Sequence, residues 1–133
     1  NAKQNGLAVE SVEADVFDFL TVLDKKKDHS YDYIVLDPPA FTKSGKTVHE
    51  AFRGYKEINY RAMKILPRGG YLATCSCSHF MGEELFVKMV KEAARDAGVT
   101  LRQIEFRQQA PDHPILMTVP ETYYLKFFLF QIV

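Results

Sequence analysis

The sequence predicts an α/β fold, a mostly parallel sheet whose final strand runs antiparallel. Three observations predict it. The apolar run Ile34-Val35-Leu36 stops at Asp37-Pro38-Pro39, as a central strand buried on both faces of a parallel sheet would. Strand-like and helix-like segments alternate along the chain, which implies parallel strands with helices on both faces. The last two strand-like segments are joined without a helix, so they should pair antiparallel.

The elements follow in order. Asn5-Gly6 reads as a helix end with Gly6 as left-handed terminator. The chain starts at Asn1 rather than Met, and we expect a piece of something longer. Ser11 to Ala14 is a short strand candidate. Asp15 opens a helix as its cap, with Asp18 favouring the same end. Val16, Phe19, Leu20 and Leu23 recur at helical spacing, and Lys25-Lys26-Lys27 closes the helix with cations. Tyr33 to Asp37 is the central strand, which Pro38 and Pro39 cannot continue. The polar loop Thr42 to Thr47 lacks the glycine spacing of a Walker loop.

A long helix follows, roughly Val48 to Leu66. Its apolar stripe is Val48, Ala51, Phe52, Tyr55, Ile58, Ala62, Met63 and Leu66. Pro67 and Gly69-Gly70 end it. Tyr71 to Cys77 is the next strand. Ser78 and His79 lead into a helix from about Met81 to Ala97, stopped by Gly98. Leu101 to Arg107 is a strand. Pro111, Pro114 and Pro120 mark an irregular, partly ordered loop, and Tyr123 to Val133 is the final strand.

At 133 residues the chain suits one domain, and 47% hydrophobic content allows a core without disulfides. With 17 basic and 17 acidic residues, overall charge neither favours nor excludes nucleic acid. Cys75 and Cys77 sit too close on one strand for a disulfide, and two thiols are an incomplete zinc site. A reduced, cytoplasmic protein is expected. No run is long and apolar enough to span a membrane, and no signal peptide is evident.

Asp15, Asp37 and the Cys75-Ser76-Cys77-Ser78 segment fall at the carboxyl ends of the expected strands, where open α/β sheets bind ligands. An Asp at a strand end also serves as an ordinary cap. Cys77, nearer the strand end and just ahead of a helix, is the better nucleophile candidate. Cys75 lies deeper, and both thiols also fit as small buried hydrophobes. His113, in Asp112-His113-Pro114, is a candidate site-lining residue. Lys43, Lys46 and the basic residues from Arg53 to Arg68 could meet phosphates, although the interleaved Glu50 and Glu57 suit a solvated face equally.

These residues resemble a known family. The antiparallel final pair resembles the Rossmann-like class I S-adenosylmethionine-dependent methyltransferase fold. Asp37-Pro38-Pro39-Ala40-Phe41 resembles its motif IV, and Ser76-Cys77-Ser78 after Gly69-Gly70 resembles the catalytic-cysteine motif of RNA cytosine-5 methyltransferases. Arg53 to Asn59, Phe106 to Pro114 and Tyr124-Leu125-Lys126 sharpen the likeness to bacterial large-subunit ribosomal RNA (cytosine-C5) methyltransferases, in which a PUA domain precedes the catalytic one. The resemblance covers essentially all 133 residues.

The resemblance implies that residues 1–133 are the C-terminal portion of one methyltransferase domain, with the N-terminal strands outside the chain. It implies S-adenosylmethionine as cofactor and ribosomal RNA as partner, with no membrane and no metal. The oligomeric state stays open, a homodimer included. Asp15 matches the acid that meets the adenine amino group, with the Val16 amide beside it. Asp37 and Pro38 border the methyl-transfer centre. Pro39 and Phe41 shape the base pocket, with Lys43, Arg53 and His113 toward the substrate. Cys77 matches the nucleophile; Cys75, following Thr74, is the fallback.

The chain departs from the family in lacking any Gly-x-Gly-x-x-Gly loop among its seven glycines. We therefore expect the isolated chain to bind S-adenosylmethionine weakly and to be inactive. Two other readings stand beside this one: methylation of a base nitrogen, which needs no thiol, and a non-catalytic or RNA-binding module.

Overall fold

The computed structural model describes residues 1–41 and 45–133. Helix α1 spans Val16–Lys26, strand β1 Tyr33–Leu36, helix α2 Val48–Ile65, strand β2 Tyr71–Ser76, helix α3 Glu83–Ala97, strand β3 Leu101–Arg107 and strand β4 Lys126–Ile132. The sheet order is β1-β2-β4-β3. β1 and β2 pair in parallel, and β4 is antiparallel to both neighbours. Three strands thus run one way and the last runs against them, as expected. β4 does more than pair with β3: it is inserted between β2 and β3.

The helix signals hold. Asp15 caps α1, its Oδ1 accepting from the amides of Phe17 at 2.9 Å and Asp18 at 3.2 Å. Pro67 closes α2 and a left-handed Gly98 closes α3. Gly6 is left-handed too, but it ends only a single 3-10 turn, Lys3–Asn5. The buried stripe of α2 (Ala51, Tyr55, Ile58, Ala62, Met63) meets Phe86, Met89 and Val90 of α3 in the core.

Three expectations fail. Ser11 to Ala14 is exposed and forms no strand, because no neighbouring strand takes its backbone groups. β1 is an edge strand, not a central one, and Tyr33 and Val35 are 50% and 61% exposed. Only β2 flanks it, so the apolar alternation buries Leu36 alone. Among the described residues the helices do not flank both faces. α1 packs on α2 and α2 on α3 as one layer, and burial alternates along β4, with Lys126, Phe128, Phe130 and Ile132 inward. The crossovers β1-α2-β2 and β2-α3-β3 advance in one direction across the sheet, so their common handedness places both helices on one side.

The loop before β4 is irregular but tied down. The Thr122 hydroxyl accepts from the Leu116 amide at 2.8 Å, and the Tyr123 phenol donates to Glu83 Oε2 at 2.8 Å.

Candidate functional site

The carboxyl ends of β1 and β2 lie side by side, with Leu36 opposite Thr74. Asp37 follows β1 directly and is exposed. Next to it runs a cleft of about 490 Å³ lined by Ala14, Asp15, Val16, Phe17, the segment from Val35 to Pro39, Phe41 and Ile58. Residues distant in sequence thus meet in one place: Asp15 and Val16 on one wall, Asp37, Pro38, Pro39 and Phe41 on the other.

The cleft's chemistry fits a flat heteroaromatic base. Its walls are mostly apolar, and its polar edge comes from the start of α1. Both capping bonds of Asp15 fall on Oδ1, which leaves Oδ2 to accept from an amino group. The Val16 amide occupies the first helical position, where no intrahelical acceptor exists. An acceptor beside a donor matches the amino edge of an adenine ring, so Asp15 and Val16 could hold that part of S-adenosylmethionine.

Phe41 is fixed from three sides. Its ring stands edge-on to Tyr55 at 4.6 Å between centroids and tilted to Phe17 at 6.4 Å. Gly54 lies under it, where an added Cβ would sit 3.6 Å from the ring. Tyr55 is fully buried and links the two strand ends. Its hydroxyl accepts from Ser76 Oγ at 3.1 Å. Burial raises the phenol above its ordinary value, against hydrogen bonding from Ser76 and the Phe41 backbone. The sequence puts Tyr55 on the apolar stripe and within the Arg53 to Asn59 segment, with no polar role assigned to it.

The two thiols differ sharply. Cys75 is buried and Cys77 is exposed. Burial, followed by the charges of Asp37 and Cys77, pushes the Cys75 thiol up to about 11, so it stays protonated at neutral pH. The expected helix start beside Cys77 is not there. α3 begins at Glu83, and a turn closed by the Met81 amide on the Ser78 carbonyl intervenes. The cation near Cys77 comes instead from β4. Lys126 is 1% exposed, and its Nζ donates to the carbonyls of Ser78 at 2.6 Å and Tyr124 at 2.8 Å. Desolvation brings its ammonium down to about 8, while Cys77 and then Glu83 favour the charged form. In the sequence Lys126 stands out only as a lysine within an otherwise apolar strand and as part of Tyr124-Leu125-Lys126.

The other candidates lie further off. Arg53 lines a separate cleft of about 420 Å³ with Lys56, Glu57, Tyr60 and Asp96. Two of its basic neighbours are engaged internally, Lys56 with Asp96 at 2.8 Å and Arg61 with Glu57. His113 is exposed, 3.3 Å from Asp112 and edge-on to Tyr124, near the start of β4. Lys43 lies outside the described residues. Among the described residues there is no His, Cys, Asp or Glu cluster that could hold a metal and no helix long and apolar enough to cross a membrane.

The chain matches no family model. It is 44% identical over 129 residues to the Aeromonas salmonicida protein named ribosomal RNA large subunit methyltransferase I, covering 95% of this chain and 32% of that protein. The protein of the same name from Pseudoalteromonas atlantica is 45% identical over 117 residues, 88% of this chain and 29% of its own length. The chain therefore spans about a third of the length of the curated relatives it matches. Among solved structures, a Streptococcus mutans protein described as a SAM-dependent methyltransferase superposes with a TM-score of 0.79 at 21% identity, over 98% of this chain and 33% of that one. A Thermus thermophilus protein described as a DNA modification methylase reaches 0.56 at 14% identity, over 90% of this chain and 50% of that one. The fold is thus the Rossmann-like methyltransferase fold, and in sequence nearly the whole chain is similar to a third of a large-subunit ribosomal RNA methyltransferase.

Proposed function

We propose that this chain is the C-terminal part of the catalytic domain of an S-adenosylmethionine-dependent ribosomal RNA methyltransferase. In this reading it methylates cytosine at carbon 5 through a covalent adduct on Cys77. One observation carries the covalent step: the exposed Cys77 stands at the same sheet rim as the exposed Asp37, while Cys75 beside it is buried and protonated. The relatives' names support the substrate class.

Carbon 5 of cytosine is a weak nucleophile. The Cys77 thiolate adds to carbon 6, forming a sulfur–carbon bond and moving electron density to carbon 5. Asp15 and Val16 would hold S-adenosylmethionine, which would supply the methyl group as an electrophilic sulfonium and leave as the neutral thioether S-adenosylhomocysteine. Once carbon 5 carries the methyl, its proton leaves to a general base. The carbon–sulfur electrons return to Cys77, and the ring double bond is restored. Asp37 holds the polar edge of the pyrimidine and stabilises the protonated intermediate. Pro38 packs at the transfer centre, and Pro39 and Phe41 wall the pocket of a base turned out of its stack. His113 and, from its separate cleft, Arg53 meet the RNA outside that pocket, and Lys43 is a further RNA contact in this reading. Such an enzyme works in the cytoplasm, where both thiols stay reduced.

The test is the intact mass of the full-length protein after incubation with S-adenosylmethionine and RNA carrying 5-fluorocytosine, whose fluorine blocks the final proton loss. A trapped protein–RNA adduct that disappears in Cys77→Ala is expected. Methyl transfer without an adduct moves the reading to a base nitrogen, which Asp37-Pro38-Pro39 would also serve. No transfer at all leaves a non-catalytic RNA-binding module.

A further inference from the structure

A lysine at 1% exposure is unusual, because burying an ammonium is unfavourable unless its surroundings offset the lost hydration. The hydrogen-bond acceptors of Lys126 are two neutral carbonyls, Ser78 and Tyr124. A methionine of similar length would fill the same space without desolvating a charge. Packing alone therefore gives no reason for the charge, and the groups around it do.

Ser76 of β2 lies opposite Lys126 of β4, so the lysine rises beside the end of β2. Its bond to the Ser78 carbonyl fixes the peptide segment that follows Cys77. The titratable groups that interact across this rim come from every neighbouring element: Asp37 after β1, Tyr55 of α2, Cys75 and Cys77 of β2 and its end, and Glu83 of α3. Each of these is neutral or negative. Lys126 is the one cation of the group.

We propose that Lys126 is the positioning residue of the Cys77 thiolate, its buried ammonium locking the Ser78 carbonyl and supplying the counter-charge that lets a thiolate stand beside Asp37. This rests on the reading of Cys77 as nucleophile. Lys126 acts through Cys77 and does not touch the base. Its burial keeps the cation away from RNA phosphates, so the charge is not diverted to the backbone of the substrate.

The test uses the full-length protein and a readout that a purely structural lysine would not move. The rate of Cys77 carboxymethylation is followed by peptide mass mapping as a function of pH, in wild type and in Lys126→Met. The expected result is a higher alkylation midpoint in the variant and a rate at neutral pH lower by about tenfold. Continued protection of Cys75 serves as the check that the variant is folded. The reverse titration needs no change in the core. In protein carrying carbon-13-labelled lysine, the Lys126 resonance should titrate at a lower pH in Cys77→Ser than in wild type, because charge coupling is reciprocal. If Lys126→Met does not fold, this second titration decides. Unchanged midpoints in a folded variant, or an identical Lys126 titration in Cys77→Ser, overturn the proposal. The RNA adduct is scored separately: its absence in wild type removes the covalent reading, whereas a normal adduct with no coupling removes only the role of Lys126.

Discussion

The Ser76 hydroxyl donates to the Tyr55 phenol at 3.1 Å, and both residues are fully buried. This bond joins the end of β2 to the middle of α2, and Tyr55 in turn carries Phe41 on its ring face. The aromatic wall of the cleft and the strand that delivers Cys77 are thus braced by one side chain. Tyr55→Phe should leave the ring packing intact and strand the Ser76 hydroxyl, at a cost of about 1–3 kcal/mol. Urea unfolding measures the loss. A variant as stable as wild type would mean that Ser76 finds another acceptor.

Asp15 caps α1 and, in the proposed reading, also meets the cofactor, and the two roles are separable. Asp15→Ala removes the cap and should cost about 1 kcal/mol of stability. Asp15→Ser keeps the capping oxygen but not the carboxylate. It should retain most of that stability and still lose affinity for S-adenosylmethionine in the full-length protein. Equal cofactor affinity in wild type and Asp15→Ser would remove the acid from the adenine edge.

Iodoacetamide should separate the two cysteines. At pH 7.5 the buried, protonated Cys75 should stay unlabelled while the exposed Cys77 is modified. Peptide mapping reads both sites in one experiment. Labelling of Cys75 at a comparable rate would return it to contention as nucleophile.

The Lys126 ammonium makes stability depend on pH in a stated direction. Its folded value is about 8 against an ordinary 10.5. Between those values the unfolded chain holds a proton that the folded chain has released. Stability from this group therefore rises with pH across that window and is level below about 8. The raised Cys75 thiol works oppositely, losing stability as pH climbs above its ordinary 9.0. The lysine part is isolated by subtraction. The stability advantage of Lys126→Met over wild type should shrink between pH 8 and 10, as read from urea midpoints. A constant difference would contradict the depressed lysine.

Calorimetry on the 133-residue chain should find no tight binding of S-adenosylmethionine. In the proposed reading Asp15 and Val16 meet only the adenine edge, and the sequence holds no glycine-rich loop for the rest of the cofactor. Stoichiometric micromolar binding would show that the described walls suffice.

The helices and the rim were largely legible in the sequence, because their signals are local. The Asp15 cap, the stripe from Ala51 to Met63 and the Gly98 stop each act within a turn or two of chain. So does the break that Pro38 and Pro39 impose after Asp37. What escaped depends on distant partners. Val35 reads as buried until β1 turns out to have a single neighbour. Ser11 to Ala14 reads as a strand until no ladder meets it. Lys126 reads as one position of the strand from Tyr123 to Val133, and only the register that places it opposite Ser76 reveals a buried charge. Tyr55 fits an apolar stripe perfectly well, and its polar duty becomes visible only when Ser76 is brought to its hydroxyl.

The insertion of β4 between β2 and β3 has a kinetic side. During synthesis β2 and β3 leave the ribosome before the strand that joins them. Until residues 126–132 emerge, both present raw edges that can pair with other chains. Truncation just ahead of Lys126 should therefore yield aggregate rather than a smaller folded unit. The seat of the Cys77 segment would be completed last, so the reactive rim matures only after the rest of the sheet has closed.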